Sequence, residues 1–359
     1  MNLHEFTQEI SAHFKKELPF VLYAKPTENR VQALLQNDNT LHYTEDLSEN
    51  GFVMAPFDFT GTASFIPEKS SVKIKTEVVT SKIDKTLSPL ATEITNNKPE
   101  KDAYLKKLEK AIETIKNRKA KKIVLSRYKD FELQNFSIEK LINQLLNIYP
   151  TAFRYVWYHP HTGIWCGATP ETLVQVENQS FKTMALAGTQ PYKDTEQVEW
   201  GPKELDEQQL VTNAITNNLQ QITSILKVSK AYTHRAGSLL HLKTDIEGVL
   251  KKGKTTLAKI ANVLHPTPAV GGAPTKFAKK YIIENESYNR SYYTGFLGPI
   301  TNNGATASLM VNLRCMEIND NISRIYVGGG ITIASQPLAE WQETQNKMQT
   351  MLQVLAPML

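Results

Sequence analysis

Residues 326–347 read YVGGGITIASQPLAEWQETQNK. A strand-like run over Arg324–Val327 meets three consecutive glycines, which let a backbone come close to a neighbour or a ligand. Ser335 is placed to cap a following helix, and Pro337 suits its first turn. From there Trp341, Met348, Leu352 and Leu355 recur at helical spacing and form an apolar stripe that must pack on a core. Glu340, Glu343 and Lys347 stand at i, i+3 and i+7 and share an adjacent face. Two readings of that face follow. It is a solvated surface with an i,i+4 ion pair, or, beside the glycine strand, it is a wall that holds a cation next to a polar ligand.

Upstream, KELDEQQLV places Glu204 and Glu207 on one face of a helix expected over 203–226. Such a pair alone is ordinary surface decoration. Set across a pocket from Glu343, it supplies the hard oxygen ligands that Mg2+ prefers. Strand-like runs fill the rest of the chain: Phe20–Ala24, Val31–Leu35 and Phe52–Phe57, then KKIVLSRY, FRYVWYH, GIWCGA, TLVQV and MALAG, and later runs near His241–Ile246, Gly295–Ile300 and Ser308–Arg314. Residues 101–118 carry Leu105, Leu108, Ile112 and Ile115 at helical spacing, and Ser137 opens a second amphipathic helix. Residues 70–100, rich in Ser, Thr, Lys and Asn, read as a surface excursion or mobile connection. The order is mixed rather than a regular βαβ alternation, so the expected class is α+β.

The bulk numbers exclude several classes. The chain has 359 residues and a net charge of +5, with lysines scattered as short pairs such as Lys15-Lys16 and Lys279-Lys280. Nucleic-acid binders concentrate such charge with aromatics on one face, so no nucleic-acid partner is expected. Cys166 and Cys315 are far apart and read as buried thiols rather than a disulfide. The polar N-terminus MNLHEFTQEI is no secretory signal and no apolar run reaches membrane-spanning length, so a cytoplasmic protein without a membrane partner is expected.

Eight short stretches, in order, resemble the chorismate-utilising enzymes: isochorismate synthase, salicylate synthase, anthranilate synthase component I and aminodeoxychorismate synthase. They are KIVLSR (122–127), ATPE (168–171), LAGT (186–189), HLKT (241–244), LHPTPAVGG (264–272), E-x-x-x-R-x-x-Y-x-G-x-x-G (286–298), VNLR (311–314) and GGGITIASQPLAEWQETQNK (328–347). The resemblance covers roughly 100–359. It implies one large α+β domain over 1–359, with two packed antiparallel sheets, helices outside and the active site in a cleft between the sheets. Residues 1–100 would be a variable N-terminal part and 100–359 the catalytic core.

The resemblance also implies roles. Lys122 matches the lysine that activates water for attack on ring carbon C2, which requires an unprotonated amine. Glu171 matches the acid that protonates the departing C4 hydroxyl, which requires a raised pKa. His241 matches a histidine near the ring. Glu207 and Glu343 match Mg2+-binding carboxylates, with Glu204 and Glu340 beside them. Arg314 and Tyr293 match groups that hold the enolpyruvyl carboxylate, and Lys347, Gly328 and Gly330 belong to the same anion pocket. Gly188 and Thr189 would lie beside the ring.

Within the family, Lys122 favours water over ammonia as nucleophile, and Ala187 stands where aminodeoxychorismate synthases carry a lysine. Isochorismate synthase, serving menaquinone or siderophore synthesis, is the expected activity. Salicylate synthase and anthranilate synthase component I are the alternatives, and a catalytically silent chorismate-binding protein is the non-enzyme alternative. The expected assembly is a monomer or weak homodimer. Three departures from the family pattern bear on metal geometry: Gln208 replaces the usual histidine, Glu204 the usual aspartate, and Gly271-Gly272 the usual Cys-Gly or Ser-Gly. The stretch between Glu171 and Glu207 is also shortened.

Overall fold

Most strands of this chain are apolar on both faces, so each must be covered twice. Phe20, Leu22 and Ala24 face one hydrophobic cluster while Val21 and Tyr23 face another. Phe153, Tyr155 and Trp157 join the second cluster and Val156 the first. Alternation of this kind stacks sheet on sheet, with helices closing the outer faces.

The computed structural model of the chain describes residues 1–78, 97–193, 195–236, 239–253 and 255–359. Its strands form two sheets with antiparallel pairing throughout. In spatial order the first sheet contains Gly272–Ala273, Lys122–Glu132, Ile322–Ile331, Cys315–Asn319, Gly163–Thr169, Phe153–His159, Phe20–Ala24, Arg30–Gln36 and Ser71–Glu77. The second contains Thr223–Val228, Leu239–Leu250, Ser180–Pro191, Thr172–Glu177, Thr306–Val311, Phe296–Thr301, Gly51–Ala55, Ala63–Pro67 and His42–Thr44, with Tyr232–Ala236 also paired to Leu239–Leu250. This is the expected α+β architecture.

Helices Leu3–Phe14, Ile138–Ile148 and Pro337–Leu355 cover the outer face of the first sheet. Helices Pro202–Gln220 and Leu257–Leu264 cover that of the second. Between the sheets lies an aromatic layer in which Trp165 and Tyr293 each stack on Tyr326, at centroid distances of 5.5 and 5.3 Å. The apolar stripe of the C-terminal helix is buried as its spacing requires. Among the described residues no helix is long and apolar enough to cross a membrane.

Three local expectations are corrected. The helix expected over 203–226 ends at Gln220, and Thr223–Val228 is an edge strand. Residues 71–77, expected in a surface excursion, form a strand paired to Arg30–Gln36; its exposed face carries Lys73 and Lys75, which disguise it. The rest of that stretch, 79–96, lies outside the described residues. Ser335 is not the cap of the last helix. Gln336 occupies that position without a side-chain bond, while Ser335 Oγ accepts from Thr332 N and so closes the preceding turn.

Candidate active site

Two of the points at which the chain passes from one sheet to the other lie side by side, and each leaves a charged side chain at the seam. Strand Gly163–Thr169 belongs to the first sheet and Thr172–Glu177 to the second, so Pro170 and Glu171 form the crossover. Thr306–Val311 and Cys315–Asn319 repeat the switch in the opposite direction around Leu313 and Arg314. Val311 N donates to Glu171 O at 2.9 Å and Ala168 N to Arg314 O at 3.0 Å, which locks the two crossovers side by side.

The Glu171 side chain is buried, and Thr267 Oγ1 donates to Oε1 at 3.4 Å. Burial pushes its carboxyl up to about 7, against the opposing pull of the nearby Lys122 ammonium and the Thr267 bond. The expected acid therefore holds a proton in the range an acid near neutral pH requires.

Lys122 opens the strand next to the glycine strand and is only 1 % exposed. Its Nζ donates to Glu207 Oε1 at 2.7 Å. A Cβ on Gly330 would come within 2.6 Å of Lys122 Cε and 2.9 Å of Glu207 Oε1. The absence of a side chain there is what admits this ion pair. A solvent-seeking strand-end lysine is excluded.

Gly188 sits in an irregularity where strand Ser180–Pro191 shifts register against Leu239–Leu250, between Ala187 and Gln190. Its φ of +69° favours glycine, and a Cβ would press on Trp200 and Glu204 at 3.3 Å. The bulge turns the Gly188 carbonyl to His241 Nδ1, 2.8 Å away, with Thr189 Oγ1 at 3.3 Å. A carbonyl accepts only, so Nδ1 carries the hydrogen and Nε2 presents a lone pair. Nε2 is buried and has no hydrogen-bond partner among the described residues. Burial, reinforced by Arg314, pushes the ring down to about 3, so it is neutral.

The carboxylates come from two helix N-termini. Glu204 lies in the first turn of Pro202–Gln220 and Glu340 in that of Pro337–Leu355; both places favour negative charge. Lys203 Nζ reaches Glu340 Oε1 at 3.2 Å, and Lys347 Nζ reaches Glu343 Oε1 at 2.5 Å and Gly328 O at 2.8 Å. Burial and the Glu343 charge raise the Glu340 carboxyl. Burial would raise Glu343 as well, but Lys347 holds it below the ordinary range.

Among the described residues no three ligating side chains meet at one point, because each of Glu207, Glu340 and Glu343 leans on a lysine. The donor set nevertheless fits a hard cation. Glu207 Oε1 lies beside Gly330, and Glu340 Oε2 and Glu343 Oε1 lie 3.4 and 3.8 Å from where a Gly329 Cβ would stand. Mg2+ takes one or two carboxylates and completes its shell with water and substrate oxygens.

All fourteen residues singled out from the sequence line one cleft: Lys122, Glu171, Gly188, Thr189, Glu204, Glu207, His241, Tyr293, Arg314, Gly328, Gly330, Glu340, Glu343 and Lys347. The cleft has about 990 Å3 of empty space, open mouth included. A family model described as "Chorismate binding enzyme" matches residues 58–356. The chain belongs to the chorismate-binding enzymes. It is 30% identical over 267 residues to isochorismate synthase EntC of Escherichia coli K12, spanning 71% of this chain and 68% of that one. It is 26% identical over 377 residues to isochorismate synthase MenF of Haemophilus influenzae, spanning 94% and 86%. Among solved structures, a Bacillus anthracis protein described as "putative 2,3-dihydroxybenzoate-specific isochorismate synthase, DhbC" matches with a TM-score of 0.81 at 26% identity, over 98% of this chain and 99% of that one.

Against this chorismate-binding frame, sequence reasoning missed Lys203, Thr267, Val270, Leu313 and Tyr326, which also line the cleft or touch its acid. Thr267 could have been found inside the LHPTPAVGG motif, and Lys203 beside Glu204. Gln208, a departure from the family pattern, faces away from the carboxylates. It is buried and donates to Ala185 O and Thr244 Oγ1, both at 3.0 Å. That substitution therefore alters packing of helix on sheet.

Glu171 gains proton affinity on folding, from an ordinary 4.5 to about 7, so its protonated form stabilises the fold fully below 4.5 and that contribution is lost as pH rises through 7. Glu171→Gln should be more stable than wild type by about 3 kcal/mol above pH 7 and by little near pH 4.5. Urea melts at the two pH values measure this. A difference independent of pH would mean that Glu171 titrates normally.

Proposed function

We propose that this chain converts chorismate to isochorismate with Mg2+, and that the fourteen cleft residues divide the work as their chemistry suggests. The observation that carries the reading is that Lys122 and Glu171 share one cleft, near enough for the ammonium to bear on a carboxyl that burial keeps protonated. The reaction needs one group to take a proton from water and another to give one to a leaving hydroxyl. Water bonds to ring C2 as Lys122 takes its proton, the ring double bonds shift, and the C4–O bond breaks as Glu171 protonates the departing oxygen. One water enters and one leaves. To act as a base Lys122 must first give up a proton, to the Glu207 carboxylate that it contacts at 2.7 Å or to water, so that Nζ carries a lone pair.

Glu207 and Glu343 would hold the metal, with Glu204 and Glu340 beside them. Bound Mg2+ supplies positive charge to offset the ring carboxylate. Arg314 and Tyr293 hold the enolpyruvyl carboxylate, and a guanidinium fork suits that task. Lys347, Gly328 and Gly330 complete the anion pocket, while Gly188 and Thr189 border the ring. His241 is neutral and offers Nε2 as an acceptor, so its part is to receive a substrate hydroxyl rather than to donate a proton.

The catalytic core falls within 100–359, a reading supported by the cleft-lining residues among those described, which all lie at or beyond Lys122. One copy of the chain supplies them all, so a monomer or weak homodimer can work. The product serves menaquinone or siderophore synthesis.

Incubation with chorismate and Mg2+, followed by chromatography, should yield isochorismate alone. Salicylate with pyruvate, anthranilate on adding ammonia, or no turnover would each overturn the reading. Lys122→Ala should lower kcat at least about 100-fold while calorimetry finds chorismate binding largely kept; normal production by that variant removes Lys122 from the mechanism. Glu343→Gln should raise the Mg2+ concentration needed for half-maximal rate at least about tenfold. An unchanged metal titration counts against Glu343 as a ligand.

A further inference from the structure

We propose that Glu286 and Arg290, which do not line the cleft, form a positioning pair that sets where Lys122 stands relative to Tyr293. The proposal rests on the chorismate reading above. Both side chains are 1 % exposed. Arg290 Nε donates to Glu286 Oε2 at 2.7 Å and Nη2 to Oε1 at 2.6 Å, so the pair is bidentate.

Its bonds to the main chain show what it does. The strand carrying Lys122 is flanked on its outer side by the short strand Gly272–Ala273, which pairs only with Ile123 and Lys122. Val124 N still reaches Gly271 O at 3.0 Å. Beyond that point the ion pair replaces the missing strand. Arg290 Nη2 donates to Val124 O at 2.7 Å, and Glu286 Oε1 accepts from Ser126 N at 2.7 Å and from Ser126 Oγ at 2.9 Å. A guanidinium and a carboxylate thus supply one donor and one acceptor, as a neighbouring strand would.

The remaining bonds of Arg290 reach two other walls. Nη1 donates to Val270 O at 3.1 Å and to Thr294 Oγ1 at 3.2 Å, while Arg290 O accepts from Tyr293 N at 2.9 Å. Lys122, Val124, Val270, Tyr293 and Thr294 all line the cleft. One pair therefore fastens three walls at once, two of which are otherwise joined by the short Gly272–Ala273 pairing and the Val124 N to Gly271 O bond. Two charges withdrawn from water are a poor way to gain stability alone, since apolar residues of similar volume often do as well. Simultaneous attachment to three segments is what an apolar pair cannot provide.

The test compares Arg290→Lys, which keeps the charge but loses the fork, with Ser126→Ala, which removes the Oγ bond to Glu286 and the one to the Tyr288 hydroxyl but keeps the Ser126 N bond to Glu286. Arg324→Ala, which cuts an exposed pair with Asp130 on the same strand, is the control. In the full-length enzyme with Mg2+ and chorismate, kcat and KM are measured per folded molecule, with folded fraction taken from thermal melts. Arg290→Lys should lower kcat about tenfold or more and Ser126→Ala about threefold. KM should change less than kcat, because Tyr293 is the one substrate-holding group attached to the clamp while Arg314 and Lys347 hold the substrate from outside it, and Arg324→Ala should change neither constant. Wild-type kcat in folded Arg290→Lys, or an effect confined to KM, overturns the proposal. Should Arg290→Lys fail to fold, an unchanged kcat in Ser126→Ala overturns it alone. Absence of turnover by the wild-type enzyme would instead sink the chorismate reading.

Discussion

A lysine stripped of water must have a counter-charge within reach. Lys122 is such a residue, and Glu207, 2.7 Å away, meets the demand. The two come from different layers. Lys122 sits on a strand of the first sheet, while Glu207 sits on the helix that packs against the second. The contact needs the bare backbone at Gly330, since any side chain there would collide with both partners. Strand, helix and glycine run are thus bound together by one electrostatic requirement, and the cleft is the space they enclose.

The same burial sorts the other ionisable groups. Glu171 lies at a sheet crossover away from any directly paired cation, and desolvation raises it. Glu343 is half-buried but has Lys347 alongside, and is lowered. His241 is forced neutral with its acceptor nitrogen free. A proton donor, an ionised carboxylate and a neutral acceptor therefore coexist in one cavity, each set by which neighbour offsets its desolvation.

The site was legible where chemistry repeats along a helix or follows a glycine run. Glu340, Glu343 and Lys347 were visible as one face because 3.6-residue periodicity is unambiguous over nineteen residues. The two-sheet fold was not legible from strand patterns alone, since strands buried on both faces lose the alternation that orients them; the order of motifs carried it. The helix expected over 203–226 is longer than Pro202–Gln220 because Ile222, Ile225 and Leu226 continue an apolar pattern, although Ile222 lies in a turn and Ile225 and Leu226 in an edge strand. The edge strand Ser71–Glu77 was missed because its lysines resemble loop composition. Glu286 and Arg290 stood in a quoted motif without a task, because a side-chain pair that substitutes for a strand leaves no periodic trace.

The central claim is that the cleft adds a solvent oxygen at C2 and expels the one at C4. The most direct measurement is turnover of chorismate in 18O-labelled water, with the isochorismate isolated and weighed by mass spectrometry. One labelled oxygen per product molecule, located in the C2 hydroxyl, is the predicted result. Isochorismate formed without label would contradict it, because the hydroxyl would then have migrated within the substrate and neither Lys122 nor Glu171 would have the part assigned to it.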